Sequence, residues 1–266
     1  MTPTLELTHY PDLASQVEAI EKDGFAYFPN YLNADEVAEL RACMDDTEPI
    51  EASFDKLSLK RENSFYEKTI NNAFNRDPLF MHFLDKPGII ELEEAIHGAD
   101  CHVIGMTAWL TGPGRPDQGL HVDWLPLSLP TDVLADPRVK VPVFITTAHF
   151  YLDNLTEELG PTQFIPGSHA SGRRPDGDKE WQGIGAHNIM CKAGDVLVFR
   201  SEVWHRGTAN TSDKVRYLLQ VHYAHRMITQ KYPPYLNKFQ FDETILAQAT
   251  PRQRRLMGDH QRSNYD

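Results

Sequence analysis

Cysteine is scarce in this chain of 266 residues, which contains only Cys43, Cys101 and Cys191. Three widely separated cysteines do not form a disulfide framework, so we expect reduced thiols and a cytoplasmic protein. The same scarcity argues against a structural zinc site, because such sites usually take four protein ligands and favour thiolates.

Long apolar runs are also missing from the sequence. No stretch approaches the roughly 18 consecutive apolar residues that a membrane-spanning helix needs. The opening residues, MTPTLELTHY, lack the basic stretch and apolar core of a secretory signal peptide. We therefore expect neither a membrane partner nor secretion.

Positive charge is in short supply, since 26 Lys and Arg stand against 38 Asp and Glu, which gives a formal net charge of −12. An acidic surface repels the phosphates of nucleic acids and anionic lipids, so neither is expected as a partner. The charge says nothing positive about the substrate, and the sequence leaves the oligomeric state open.

Local patterns divide the chain into three parts, with no linker, repeat or low-complexity tract between them. Residues 1–100 are mainly helical in pattern, residues from about 101 to 225 form short β-like runs between turns, and residues 226–266 form a helical tail. We predict one domain over 1–266, a mainly β, cupin-like jelly roll (double-stranded β-helix) with flanking helices. The predicted strands are Val103 to Leu110, Val141 to Leu152, Gly160 to Pro166, Asp195 to Phe199 and Val215 to Tyr223. A proline-rich segment around 125–140 is predicted to be an irregular insertion over the mouth of a site.

The tripeptide His121-Val122-Asp123 is the first candidate for chemistry. Residues i and i+2 of an extended strand point the same way, so the imidazole and the carboxylate would project together. The signal is weak by itself, because a chain with 12 histidines and many acids contains such a tripeptide by chance. A surface histidine beside an acid is the alternative.

His205 is the candidate third ligand, and it follows a predicted strand that starts after the Gly194-Asp195 turn. Two imidazole nitrogens and one carboxylate on one face of an octahedron leave three positions open, as in non-haem Fe(II) oxygenases. The alternative for His205 is an ordinary loop histidine.

Arg216 lies eleven residues after His205, on the last predicted strand. A turn and a short antiparallel return would bring it near the metal, where a guanidinium can bind a carboxylate in bidentate fashion. A surface strand arginine is the alternative.

Taken together, these motifs resemble the phytanoyl-CoA dioxygenase family from about Asp23-Gly24-Phe25 to Tyr223. The resemblance is carried by His121-x-Asp123, by Gly160-Pro161-Thr162-Gln163-Phe164-Ile165-Pro166-Gly167-Ser168-His169, by Gly194-Asp195, by His205, and by Arg216 eleven residues further on. The Gly160–His169 run is the most specific part, although its residues alone indicate only a tight turn at a strand end.

The resemblance implies a double-stranded β-helix that binds Fe(II) and uses 2-oxoglutarate and O2 as co-substrates. It assigns the two histidines and the aspartate as iron ligands and Arg216 to the distal carboxylate of 2-oxoglutarate. Gln118 and Thr162 occupy positions that contact the co-substrate in relatives, with ordinary polar roles as the alternative. No catalytic side chain is predicted beyond the metal centre.

The implied reaction is oxidative decarboxylation of 2-oxoglutarate to succinate and CO2, coupled most simply to hydroxylation of an unactivated C–H bond of a small molecule. Asp123 argues against halogenation, because family halogenases carry a small residue at this position. Two alternatives stay open: a jelly-roll module that binds a metal or ligand without catalysis, and a cupin-type metalloenzyme that does not use 2-oxoglutarate.

Three further residues are candidates for the substrate pocket: Trp124, Trp109 and His222. His222 shares strand parity with Arg216 and would face the same interior, whereas tryptophans at such positions more often belong to a core. The remaining strand and loop histidines, namely His149, His169, His187 and His225, are expected to be structural. The arginines of the tail, namely Arg252, Arg254, Arg255 and Arg262, are expected to form a solvated helix face.

Overall fold

Eleven strands and seven helices are found in a computed structural model that describes residues 2–48, 65–136, 138–232 and 239–260. The strands are β1 (Phe25–Phe28), β2 (Glu67–Asn71), β3 (His102–Thr111), β4 (Ile145–Tyr151), β5 (Thr162–Phe164), β6 (Glu180–Trp181), β7 (Ile184–Gly185), β8 (His187–Asn188), β9 (Val196–Arg200), β10 (His205–Gly207) and β11 (Arg216–Ala224). The helices are α1 (Leu13–Lys22), α2 (Ala34–Asp46), α3 (Pro78–Met81), α4 (Ile89–His97), α5 (Thr131–Leu134), α6 (Glu243–Leu246) and α7 (Pro251–Leu256), with short 3-10 turns at Ala73–Asn75 and Ser168–Ser171.

Two sheets make the jelly roll that the sequence predicts. The larger sheet has the strand order β1-β9-β4-β11-β3-β2, the smaller has the order β10-β5-β8, and β6 and β7 form a separate ribbon. All paired strands are antiparallel. The two sheets pack together through one apolar cluster that includes Tyr151, Phe164, Phe199 and Leu218.

The larger sheet is buried on both faces, and the alternation along its central strand β11 separates two environments. Leu219, Val221 and Tyr223 point to the face that packs against the helices. Because side chains alternate along a strand, the intervening residues from Arg216 to His222 point between the two sheets. Polar side chains on that inner face mark the interior site.

Helix ends follow three capping signals that the sequence predicts: Asn33 followed by Glu36, Asp77-Pro78 and Thr250-Pro251. Asn33 caps α2 and forms a reciprocal capping box with Glu36, and Asp77 caps α3 with a proline at its first position. Thr250 caps α7 in the same way. These predictions are confirmed because capping depends on a few neighbouring residues.

Two local predictions need correction. The stretch from His121 to Asp123 is not a strand; His121 forms a single antiparallel bridge with His205, and Asp123 lies in a bend. Strand β2 arises within the part predicted to be mainly helical, because Glu67–Asn71 pairs with the edge of β3. Both features depend on distant partners that a local pattern does not contain.

The basic face of the tail is only partly solvated, since Arg252 is exposed whereas Arg254 and Arg255 are partly buried. Arg252 and Arg255 form ion pairs with Glu91 and Glu94 of α4, so these cations dock the tail onto the helical layer. Arg262 lies outside the described residues. Within the described residues, no helix is both long and hydrophobic enough to cross a membrane.

The turn at Gly194-Asp195 ties the N-terminal region to β9. Gly194 has a φ of +94°, and a β-carbon there would lie 2.4 Å from the carbonyl oxygen of Leu32. The buried Asp195 carboxylate accepts hydrogen bonds from the Tyr27 hydroxyl and the Asn30 amide. The glycine is therefore required both for its backbone conformation and for the close approach of the loop.

Gly194→Ala is expected to lower the free energy of unfolding by about 2 kcal/mol or more, because it combines left-handed strain with a backbone clash. Urea unfolding followed by circular dichroism measures this loss. Gly177→Ala is the matched control, since Gly177 has a φ of +71° with no atom near its β-carbon position. Equal losses in the two variants would contradict the role given to the Leu32 contact.

Candidate active site

Three candidate metal ligands from separate parts of the chain converge between the sheets. One ligand atom from each of His121, Asp123 and His205 lies within 4.8 Å of the others. The Nε2 atom of His205 is 3.5 Å from Oδ1 of Asp123, and the two imidazole centroids are 4.4 Å apart. The sequence-predicted ligand set is thus brought together in space.

Backbone pairing places these ligands. The His121 amide donates to the His205 carbonyl at 2.9 Å, and the His205 amide donates back at 2.8 Å. The Asp123 amide donates to the Ser201 carbonyl at 3.1 Å. The single bridge between His121 and His205 therefore orients the ligand side chains, which is the role predicted for a continuous strand.

Each ligand histidine is oriented by a carbonyl two residues before it. The Nδ1 atom of His121 lies 2.8 Å from the Gly119 carbonyl, and that of His205 lies 2.9 Å from the Val203 carbonyl. A carbonyl can only accept, so each Nδ1 carries the proton and each Nε2 offers its lone pair to the centre. Two imidazole nitrogens and one carboxylate oxygen fit a ferrous ion with three remaining positions.

The electrostatics favour an ionised carboxylate at this centre. Burial opposes ionisation of Asp123, but the imidazoles of His205, His222 and His149 outweigh it and hold its pKa well below the usual range. Burial lowers the pKa of His205, while the Asp123 carboxylate more than offsets this and leaves that pKa raised. Burial and the neighbouring His205 lower the pKa of His121. The carboxylate charge is thus available to a divalent cation.

Thr147 and His222 both lie next to Oδ2 of Asp123. The Thr147 hydroxyl donates to Oδ2 of Asp123 at 3.2 Å and is 2.9 Å from Nδ1 of His222. Burial lowers the pKa of His222 to about 3, so the ring is neutral at this place. His222 was predicted as a pocket wall, and the structure places it beside Asp123, at 4.0 Å from Oδ2.

Trp124 and Trp109, the other two predicted pocket residues, occupy different surroundings. The Trp124 ring lies 5.2 Å from the His222 ring. The Trp109 indole N–H donates to the Gln220 side-chain oxygen at 3.0 Å. Only Trp124 lies directly against the group that surrounds the candidate metal ligands.

Arg216 extends into the interior from the first residue of β11. One terminal nitrogen donates to the Gly160 carbonyl, while its buried Nε has no hydrogen-bond partner. Among the described residues, no carboxylate forms an ion pair with this guanidinium. Burial and the nearby guanidinium of Arg115 lower the pKa of Arg216 to about 10, which leaves it charged at neutral pH. A buried cation without a counter-ion is costly, so the geometry fits an anionic ligand such as a carboxylate.

Gln118 and Thr162 are both next to Gly207, Gln118 through a side-chain hydrogen bond and Thr162 through strand pairing. The Gln118 side-chain oxygen accepts from the Gly207 amide at 2.8 Å, which leaves its NH2 group free to donate. Thr162 is paired with Gly207 in the β10–β5 register. Arg115 also lies here, with a terminal nitrogen 3.3 Å from the position of a Gly207 β-carbon. Arg115 was not predicted as a site residue, although its place in the Gly/Pro loop before His121 was a usable signal.

The structure explains the run from Gly160 to His169 by its contacts with the segment that contains His205. The buried Ser168 hydroxyl accepts from the Trp204 amide at 2.8 Å, and the Ile165 amide donates to the Trp204 carbonyl at 2.9 Å. The Phe164 ring lies edge-on to the His205 ring at 6.0 Å. The run therefore holds the strand that carries the third candidate ligand.

His149 was expected to be structural, yet it lies on the inner face of β4 near this centre. Its Nε2 is 3.2 Å from the Gln220 side-chain nitrogen and its Nδ1 is 3.5 Å from the Tyr151 hydroxyl. Burial lowers the pKa of His149 to about 3. The alternation of Thr147, His149 and Tyr151 along one strand would have revealed this shared face.

A jelly roll that brings two histidines, one aspartate and a buried arginine together has the architecture of non-haem iron oxygenases. A family model described as phytanoyl-CoA dioxygenase matches residues 20–218, which is most of the chain. The chain therefore belongs to the phytanoyl-CoA dioxygenase family and is a non-haem iron, 2-oxoglutarate-dependent dioxygenase.

Two named dioxygenases of Aspergillus species are similar in sequence to this chain. Dioxygenase hkm4 of Aspergillus hancockii is 32% identical over 147 residues, which are 55% of this chain and 44% of hkm4. Dioxygenase trt7 of Aspergillus terreus is 25% identical over 264 residues, covering 93% of this chain and 84% of trt7. The match thus spans less than half of hkm4 and most of trt7.

The fold is also that of a solved enzyme structure, the non-haem α-ketoglutarate-dependent carbocyclase SnoK from nogalamycin biosynthesis. SnoK has a TM-score of 0.60 and 20% sequence identity, with 84% of this chain and 88% of SnoK covered. At this identity the similarity concerns the fold.

Proposed function

We propose that this dioxygenase hydroxylates an unactivated C–H bond of a small molecule, with release of succinate and CO2 from 2-oxoglutarate. His121, Asp123 and His205 would hold Fe(II), and Arg216 would bind the distal carboxylate of 2-oxoglutarate. The observation that carries the proposal is the convergence of these three ligands, together with the buried Nε of Arg216, which has no hydrogen-bond partner, and with the lack of a carboxylate ion pair to this guanidinium among the described residues.

The chain's own residues position and shield the reactants. Bound Fe(II) with 2-oxoglutarate supplies the oxidative chemistry on O2. Arg216 would orient the co-substrate through a charge-assisted hydrogen bond, with Gln118 and Thr162 as neighbouring polar contacts. The aromatic rings of Phe164 and Phe199, at 6.0 and 5.2 Å from the His205 ring, exclude water behind the centre.

Hydroxylation is the simplest outcome at this site. The carboxylate of Asp123 occupies a position that a halogenase would leave open for a halide, so oxygen transfer is favoured over halide transfer. Other outcomes occur on the same fold, since SnoK is a carbocyclase. Product mass distinguishes them, because hydroxylation adds one oxygen atom whereas desaturation or ring closure removes two hydrogens.

The test is co-substrate turnover. Purified protein with Fe(II), O2 and 2-oxoglutarate should form succinate slowly alone and faster with a substrate from a metabolite library. Mass spectrometry of the stimulated reaction should show a product with one added oxygen. A protein that neither binds nor consumes 2-oxoglutarate would instead support a metal-binding module or a cupin-type enzyme.

We also propose that the chain acts as one domain on a small molecule in the cytoplasm. The free thiols of Cys43, Cys101 and Cys191 support a reducing compartment.

A further inference from the structure

Lys231 lies on the segment that follows β11, packed across strand β3, and the residue is exposed to solvent. Its amide donates to the Ile104 carbonyl at 2.8 Å, which fixes the segment alongside β3. Its side chain then crosses Gly105, so that a β-carbon at Gly105 would lie 2.9 Å from Cδ and 3.6 Å from Nζ of the lysine. Gly105 is opposite His222 in the β3–β11 register. The glycine leaves a groove that directs the lysine toward the candidate metal centre.

The ammonium group ends on the indole of Trp124. Its Nζ lies 4.2 Å from the ring centroid, and the residue keeps contact with solvent. Trp124 follows Asp123 directly and lies 5.2 Å from the His222 ring. One aromatic side chain therefore separates this cation from the group around the candidate ligands.

No carboxylate neutralises this cation within the described part of the chain. The nearby Arg226, by contrast, is 3.5 Å from Asp100. Burial lowers the pKa of Lys231 to about 8, while Asp123 acts in the opposite direction, so the amine is protonated at pH 7. In a chain with a net charge of −12, a cation left without an acidic partner beside the site indicates an anionic ligand.

We propose that Lys231 binds a carboxylate of the substrate and that the substrate of this dioxygenase is a small organic acid. The inference rests on the proposed function and adds a substrate class to it. A single ammonium on an aromatic ring suits a monoanion, whereas phosphate sites usually combine several cations or a helix N-terminus. Trp124 would contact the apolar body of the acid while the lysine holds its charged end.

The experiment compares acids with their uncharged counterparts. Decanoate, hydrocinnamate and indolepropionate, each beside its primary amide, are added to the wild-type protein with Fe(II), O2 and 2-oxoglutarate, and succinate is measured. At least one acid should raise succinate formation above the level without substrate, and its amide should not. Anaerobic calorimetry with Fe(II) and 2-oxoglutarate present then measures binding of that acid without turnover.

Lys231→Met should raise the KM and the dissociation constant for the acid by about tenfold or more, with a much smaller change in kcat. Lys231→Arg should restore most of the affinity, because it keeps the positive charge. Lys192→Met, which removes an exposed lysine from the turn before β9, is the matched control and should behave as the wild type.

Three results would overturn the inference: acids and amides that stimulate equally, no stimulation by any acid, or an unchanged KM in Lys231→Met. Consumption of 2-oxoglutarate without substrate distinguishes failure of the Lys231 proposal from failure of the proposed function. If it is present while the acids are inert, only the role of Lys231 fails; if neither consumption nor binding of 2-oxoglutarate occurs, the proposed function fails as well.

Discussion

His205→Ala is expected to abolish turnover and to weaken Fe(II) binding by more than about 100-fold. Changes in groups that merely orient metal ligands already cost roughly 10–100-fold in affinity, so removal of a ligand should cost more. The substitution also removes the contact between Nε2 of His205 and Oδ1 of Asp123, which lie 3.5 Å apart. Anaerobic calorimetry with Fe(II), together with metal analysis of the reconstituted protein, measures the loss.

His187→Ala is the matched control for this substitution. The Nδ1 atom of His187 lies 3.0 Å from the carbonyl two residues before it, the arrangement that both ligand histidines share. Its ring belongs to no group of potential metal ligands in the described part of the chain. Fe(II) affinity should therefore be unchanged in His187→Ala, and wild-type affinity in His205→Ala would disprove the ligand assignment.

Arg216→Met is expected to weaken 2-oxoglutarate binding by about 100-fold or more while Fe(II) still binds. Truncation of one partner of a buried, hydrogen-bonded charge pair costs about 2–5 kcal/mol, which corresponds to this range. The methionine also removes the donor to the Gly160 carbonyl, so the loop before Thr162 loses one anchor. Calorimetry with 2-oxoglutarate on the anaerobic Fe(II) protein gives the dissociation constant directly.

Two comparison variants sharpen this prediction. Arg206→Met removes an arginine from strand β10 of the smaller sheet, where its side chain contacts Gln163 and Asp117, and it should leave co-substrate binding unchanged. Arg216→Lys keeps the charge but loses the forked geometry, so an intermediate affinity is expected. Unchanged 2-oxoglutarate affinity in Arg216→Met would contradict the assignment of Arg216 to the distal carboxylate of 2-oxoglutarate.

Local features were predictable because a few neighbouring residues determine them. The caps at Asn33, Asp77 and Thr250 and the alternation that places His222 on the same face as Arg216 needed no distant partner. The β-like runs between turn residues also located the main strands to within a few residues. The same logic would have placed His149 on the inner face of β4, had the alternation of that strand been followed.

Features that depend on pairing between distant segments were missed or misjudged. Strand β2 exists because β3 offers it an edge, and its own residues are not strongly β-forming. The expected strand at His121 is a single bridge to His205, which nonetheless sets the same side-chain direction. Lys231 lies in a part predicted only as a helical tail, and Gly105 leaves room for its side chain to reach the Trp124 ring.

The sequence by itself determined the kinds of ligand atom, their order along the chain and the carbonyls that orient each ligand histidine, since those carbonyls lie two residues away. Only the tertiary structure decided which groups meet and which charges have no counter-ion. Whether a carboxylate lies beside Arg216 or Lys231 depends on every segment that surrounds the cation, and chain order alone does not specify those neighbours.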